Sequence, residues 1–394
     1  MRRSIGRLAA LYATLAIVAL IVIMTGCAGE PEDDPTGGTR DGATNHEKER
    51  EPDERNSAVA GMSVEEMVGQ MFVVSVGGTE PDYYIEKMVR ERNIGGVILF
   101  SYNMKGEGQT KSLVCGLQEL SMQTKPEIPL FVAVDQEGGD VASAPWVAPE
   151  PAAAAVGRGK DPGDARRIAA RMGRQLLRAG INTDLAPVVD TGHGAAIGNR
   201  SFGEDPELVA RMGAAAVKGF EDAGVVSSAK HFPNHGPATS DSHVSLPVIR
   251  HNDRELENRD LPPFGAAIDA GVPMVMVGHL VYPAIDPGRP ASLSRDAINV
   301  LRGGLGFDGV VVTDDLAMAG ATGGSTVADA AVEAVEAGVD LLLISSAPQE
   351  QADAYDAVLG AVRSGEIPRS RVEESVGRLL AVKEKYDLRA RCRH

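Results

Sequence analysis

The chain has 394 residues, 55 of them Asp or Glu against 39 Lys or Arg, for a formal charge of −16. An acidic surface without basic clusters argues against nucleic acid as a partner. Once an N-terminal stretch that does not read as folded protein is set aside, about 330 residues remain, enough for one large core or, on length alone, two domains.

Arg2, Arg3 and Arg7 precede an apolar run from Leu8 to Met24 that ends in Thr25-Gly26-Cys27. A charged start, a short apolar stretch and small residues before a cleavage point describe an export signal over residues 1–26. The run falls short of the ~20 residues that span a bilayer comfortably, which sets this reading against a permanent membrane helix. The small residue before the cysteine resembles the lipobox of bacterial lipoproteins, so Cys27 is expected to become the lipid-bearing N-terminus, exported and anchored to the membrane. Each buried methylene contributes only ~0.8 kcal/mol, and the several acyl chains of such a modification together make a stable anchor. Residues 28–57 hold ten acidic and four basic residues and almost nothing apolar. Such a stretch cannot offset its ordering entropy and is expected to be a flexible acidic tether, with the folded domain spanning 58–394. Cys115 and Cys392 read as structurally minor, and a disulfide between them stays open.

The first helix opens at Ser63 with Glu66 three residues on, a capping-box pattern. Strands are expected at Met71–Val76, Gly96–Phe100, Leu130–Val134, Thr183–Ala186, Val225–Lys230, Met274–Gly278, Gly309–Thr313 and Leu341–Ile344. Most are continuous apolar runs, as parallel strands covered on both faces require. Ala179-Gly180-Ile181, Ala223-Gly224-Val225, Ala270-Gly271-Val272 and Ala337-Gly338-Val339 each close a helical stretch and open a strand. Glycine accepts the left-handed conformation that ends a helix, so these four are one joint repeated. Eight strands alternating with helices predict a single (β/α)₈ TIM-type barrel, and no Gly-rich phosphate loop follows the first strand to favour an open sheet.

The unusual polar residues fall just after strands: Asp135, Asp190, Lys230-His231, His279 and Asp314. In a barrel those strand ends build the active site. Lys230 to Gly236, followed by Asp241-Ser242-His243, carries three histidines in a loop marked by Pro and Gly. None of the spacings matches a helical metal-ligand pair, and neither metal nor organic cofactor is expected. Residues two apart in an extended loop share a side, so Asp241 can brace His243 as a proton donor and acceptor. Asp314 and Asp315 end a buried apolar strand and point in opposite directions, one into the site and one toward capping the next helix. One carboxylate near an anomeric carbon with a separate acid/base is what glycoside cleavage with retention needs.

Together these segments resemble glycoside hydrolase family 3, in particular its single-domain β-N-acetylglucosaminidases, from about Ser63 to Leu388. The resemblance rests on Asp135-Gln136-Glu137-Gly138-Gly139, Asn182 to Asp190, Gly198 to Gly203 with Asp205-Pro206, Lys230 to Pro233, Asp241-Ser242-His243 and Val312 to Leu316. It implies that Asp314 is the nucleophile, supported by Asp315, and that Asp241 and His243 form the acid/base dyad. Asp135, Arg200, Lys230 and His231 would hold the N-acetylglucosamine ring, with His279 lining the same pocket. Asp140 stands where the family usually has Arg, and Asn234 where it usually has Gly; the latter is expected to be mild because Asn tolerates the left-handed conformation. The implied activity is a retaining β-N-acetylhexosaminidase acting on cell-wall or related glycans. Phosphorolysis at the same site, or sugar binding without turnover, are the alternatives. Oligomeric state is not legible.

Overall fold

Short β-branched runs separated by helices return to the same edge in the same direction, and so pair in parallel. The computed structural model describes residues 59–390 apart from 241, 243, 244 and 323, within one compact unit, Pro52–His394. Eight strands follow in chain order: β1 (Phe72–Ser75), β2 (Gly96–Ile98), β3 (Phe131–Val134), β4 (Thr183–Asp184), β5 (Val226–Phe232), β6 (Met274–Val277), β7 (Val310–Thr313) and β8 (Leu342–Ile344). Each pairs in parallel with the next from β1 to β7, and β8 pairs with β1 through Phe72↔Leu342 and Val74↔Ile344. A parallel bridge, Val312↔Leu341, joins β7 to the start of β8, and the Thr313 N–H donates to the Leu341 carbonyl at 3.0 Å. The sheet therefore closes on itself as the expected barrel. All eight strands lie where the sequence places them, and β5 runs on to Phe232.

The helices alternate with them: α1 (Val64–Gln70) ahead of β1, then α2 (Tyr83–Arg92), α3 (Glu107–Met122), α4 (Pro162–Arg178) and α5 (Pro206–Ala223). After β5 come α6 (Leu261–Asp269), α7 (Arg295–Asn299), α8 (Val327–Ala337), α9 (Pro348–Ser364) and α10 (Arg369–Lys385). Ser63 and Glu66 form the expected reciprocal cap of α1, at 3.2 and 2.7 Å. α4 buries Ala169, Met172 and Leu176 along one face. The four joint glycines, Gly180, Gly224, Gly271 and Gly338, all have φ between 73° and 116°, a region closed to most side chains.

α10 packs across the N-terminal strand ends. Its Lys383 donates to Gln70 Oε1 at 2.7 Å and to the Gly95 carbonyl at 2.9 Å. Asp340, fully buried ahead of β8, accepts from Arg302, from Arg371 and Arg378 at 3.1 Å each, from Ser375 at 2.8 Å and from the Val311 N–H at 3.0 Å. The closed end is thus a polar lock, which leaves chemistry to the opposite rim. Cys115, on α3, is disulfide-bonded, which corrects its reading as structurally minor. Cys27, Cys392, the expected export signal and the tether lie outside the described residues.

Candidate active site

Parallel strands that all end on one rim bring distant loops together there. Asp135 leaves the end of β3, and the chain turns through a small hairpin, Gln136–Gly138 against Val141–Ala142. That hairpin aims Glu137 back at the rim, where Lys230 near the end of β5 meets two carboxylates, Asp135 at 2.5 Å and Glu137 at 2.7 Å. Arg200 grips the same Glu137 with both arms of its guanidinium, at 2.7 and 2.8 Å. The side chains of Lys230 and Glu137 are 2 % and 6 % exposed. Burial works against charge on all three groups, and their mutual attraction outweighs it. Glu137 is held at about 2 by Lys230 and Arg200, and both cations sit above their usual values. A buried anion shared by two cations fixes both of them in place while leaving other donor hydrogens free for a ligand.

His231 follows Lys230. Its Nδ1 lies 2.7 Å from Asp190 Oδ2, and its backbone N–H also reaches that carboxylate. Asp190, beyond β4, further accepts from the His235 N–H at 2.6 Å. Despite complete burial, these partners hold its carboxyl below the usual range. His231 Nε2 faces Arg200 at 3.5 Å.

Asp314 ends β7 and is partly exposed. Its Oδ1 accepts from the Asp315 N–H at 2.8 Å. Burial would raise its carboxyl, but His231, His279, that N–H and Lys230 prevail and hold it at about 2. It is therefore an anion at neutral pH. Asp315 turns the other way, accepting from the Ala317 and Ser345 N–H groups at 3.0 Å each and from the Ser345 hydroxyl. The two adjacent carboxylates thus face different ways as expected, but Asp315 ties the β7 loop to Ser345 beyond β8 instead of capping the next helix, Ala319–Thr322.

His279 is buried beside them, but both its nitrogens are engaged by protein. Nε2 lies 3.0 Å from the Asp315 carbonyl, which can only accept, so Nε2 carries the proton and Nδ1 accepts from Ser292 at 2.7 Å. Burial holds the ring below the usual histidine value. His279 thus shores up the β7 loop through both ring nitrogens. Asp241 and His243 lie outside the described residues; Ser242 between them is described and buried. Among the described residues no group of His, Cys, Asp or Glu converges as a metal-ligand set.

Two departures from the family pattern find their places. Asp140 sits exposed at the hairpin turn and accepts from Asn199 at 2.9 Å. Asn234 is not in the left-handed region. Its amide instead binds Thr191 N–H and Gly236 N–H at 2.9 Å and Asp260 at 2.7 Å, stitching the β5 loop to its neighbours. Sequence reasoning missed what Glu137 and Asp190 do. The available signal was an acidic residue two positions past Asp135 and another closing the Asn182 to Asp190 motif.

The profile of the Glycosyl hydrolase family 3 N terminal domain matches residues 63–382. Beta-hexosaminidase A of Pseudoalteromonas piscicida is 36% identical over 331 residues, which cover 76% of this chain and 55% of that protein. Beta-hexosaminidase of Xylella fastidiosa (strain 9a5c) is 37% identical over 299 residues, covering 74% of this chain and 87% of that one. The structure of a glycoside hydrolase family 3 beta-N-acetylglucosaminidase from Paenibacillus sp. str. FPU-7 superposes with a TM-score of 0.82 at 40% identity, over 83% of this chain and 63% of that chain. The chain therefore spans little more than half the length of some relatives and most of others.

Proposed function

The chain belongs to glycoside hydrolase family 3, and on that premise we propose that it is a retaining β-N-acetylhexosaminidase that releases terminal N-acetylglucosamine from glycans. One observation carries the reading: Asp314 is held ionised at the end of β7, on the rim that gathers Asp135, Lys230, His231 and Arg200. In this reading the Asp314 carboxylate attacks the anomeric carbon as the glycosidic bond breaks. His243, braced by Asp241, protonates the departing oxygen. The same imidazole then takes a proton from water, which displaces Asp314 and frees the sugar. His231 is braced similarly, but a proton on its Nε2 would face the Arg200 guanidinium, which favours the 241–243 segment for proton transfer. The names of the relatives support N-acetylglucosamine as the sugar.

Wild type should release nitrophenol from 4-nitrophenyl N-acetyl-β-glucosaminide, with the β-anomer as first product by NMR. Asp314→Ala should lose on the order of 10⁴-fold in kcat. An α-anomer first, or an unchanged rate in the variant, would sink the assignment. In phosphate buffer the product should be free sugar; a sugar 1-phosphate would establish phosphorolysis instead. Arg2 to Cys27 support export and lipid tethering, and with them peptidoglycan fragments as the first glycans met. Cys27→Ser should then move the protein from the membrane fraction to the soluble one.

A further inference from the structure

Behind the rim, Asp190 anchors the main chain of His235, accepting from its backbone N–H at 2.6 Å, and the His235 ring places Nε2 2.9 Å from the Ser242 hydroxyl. His235 and Ser242 are each only 2 % exposed. From the β7 side, the Gly320 N–H donates to the Ser242 carbonyl at 3.0 Å. A Cβ on Gly320 would meet that oxygen at 2.9 Å and the His279 Cβ at 3.2 Å, so this approach suits only glycine. Ser242 is thus gripped by its side chain from one loop and by its main chain from another.

Ser242 stands between Asp241 and His243 in sequence. We propose that His235 and Gly320 are positioning residues for proton transfer: by pinning Ser242 they set where the two flanking side chains leave the backbone. The inference rests on the acid/base assignment made above. A donor misplaced by about 1 Å can lose ~10²-fold in rate, so a grip on the residue between the pair bears directly on catalysis. His235 is poorly suited to carrying the proton itself. Burial and the neighbouring His231 hold its ring below the usual histidine value, and its Nδ1 has no hydrogen-bond partner among the described residues.

Leaving-group dependence separates positioning of an acid from general support of the fold. A phenyl glycoside needs its oxygen protonated as the bond breaks, whereas a 2,4-dinitrophenyl glycoside departs with little help. Ser242→Ala, which removes a single oxygen, should lower kcat/KM on phenyl N-acetyl-β-glucosaminide by about 10-fold or more, and on the dinitrophenyl substrate by less than about 3-fold. His235→Leu should do the same, and His235→Gln, which keeps a polar atom near the Nε2 position, should restore part of the loss. Thermal melting checks that each variant folds, and if His235→Leu does not, Ser242→Ala carries the test. Equal losses on both substrates, or none on either, would overturn the inference. His243→Ala run alongside keeps the two claims apart. If it is leaving-group selective and Ser242→Ala is not, only the positioning role falls. If His243→Ala shows no selectivity, the acid/base assignment falls and this inference with it.

Discussion

Glu137→Gln separates charge from shape, because a glutamine side chain matches a protonated glutamate in size. In the wild type the carboxylate accepts two bonds from Arg200 and one from Lys230. Burial opposes its charge, yet the two cations hold it at about 2 against an ordinary 4.5. At ~1.36 kcal/mol per pH unit, that difference corresponds to about 3 kcal/mol in favour of the ionised, folded form. A carboxyl depressed by folding contributes fully above its unfolded value, and the contribution is lost as pH falls toward the folded one. Urea unfolding should therefore show wild type ahead of the variant by about 3 kcal/mol at about pH 7, narrowing to about 1 kcal/mol at about pH 3. Activity should fall together with stability at neutral pH, by roughly 10- to 100-fold in kcat/KM and chiefly through KM, since Lys230 and Arg200 lose their shared anchor. A stability gap that stays flat between those pH values, or a variant with wild-type kcat/KM, would refute the reasoning.

At the closed end of the barrel, Asp340→Ala would strand Arg302, Arg371 and Arg378 without their shared buried carboxylate. Chemical denaturation should show a loss of about 3–5 kcal/mol, with KM unchanged in whatever remains folded. Burial holds Lys383 well below its usual value of 10.5, so unfolding takes up a proton below that value and stability rises with pH. Lys383→Met should remove that slope, and its stability relative to wild type should decline steadily from about pH 7 to about pH 10. A difference independent of pH would mean that Lys383 keeps its charge when folded.

The barrel was legible because its cues are local. A four-residue apolar run such as Val310–Thr313, or a glycine ending a helix as Gly338 does at φ 116°, depends on a few neighbours and on backbone sterics alone. The rim was legible as a set of positions after strands, and strand alternation showed that Asp314 and Asp315 face opposite ways, while which of them enters the site followed only from the family resemblance. The partnerships within the rim were not legible. Lys230 meets Asp135 across 95 positions, Arg200 meets Glu137 across 63, and His231 meets Asp190 across 41. No pattern along the chain registers such pairs.

The sequence by itself determined the elements, their order, the joints between them and the residue types delivered to the rim. Only the tertiary structure decided that Glu137 clamps two cations, that His279 spends both nitrogens on protein and that Asn234 works through its amide instead of its backbone. The physical reason is range: propensity and periodicity act within a turn or two of chain, whereas charge pairing and hydrogen bonding act through space, and the space is defined only once β8 closes on β1.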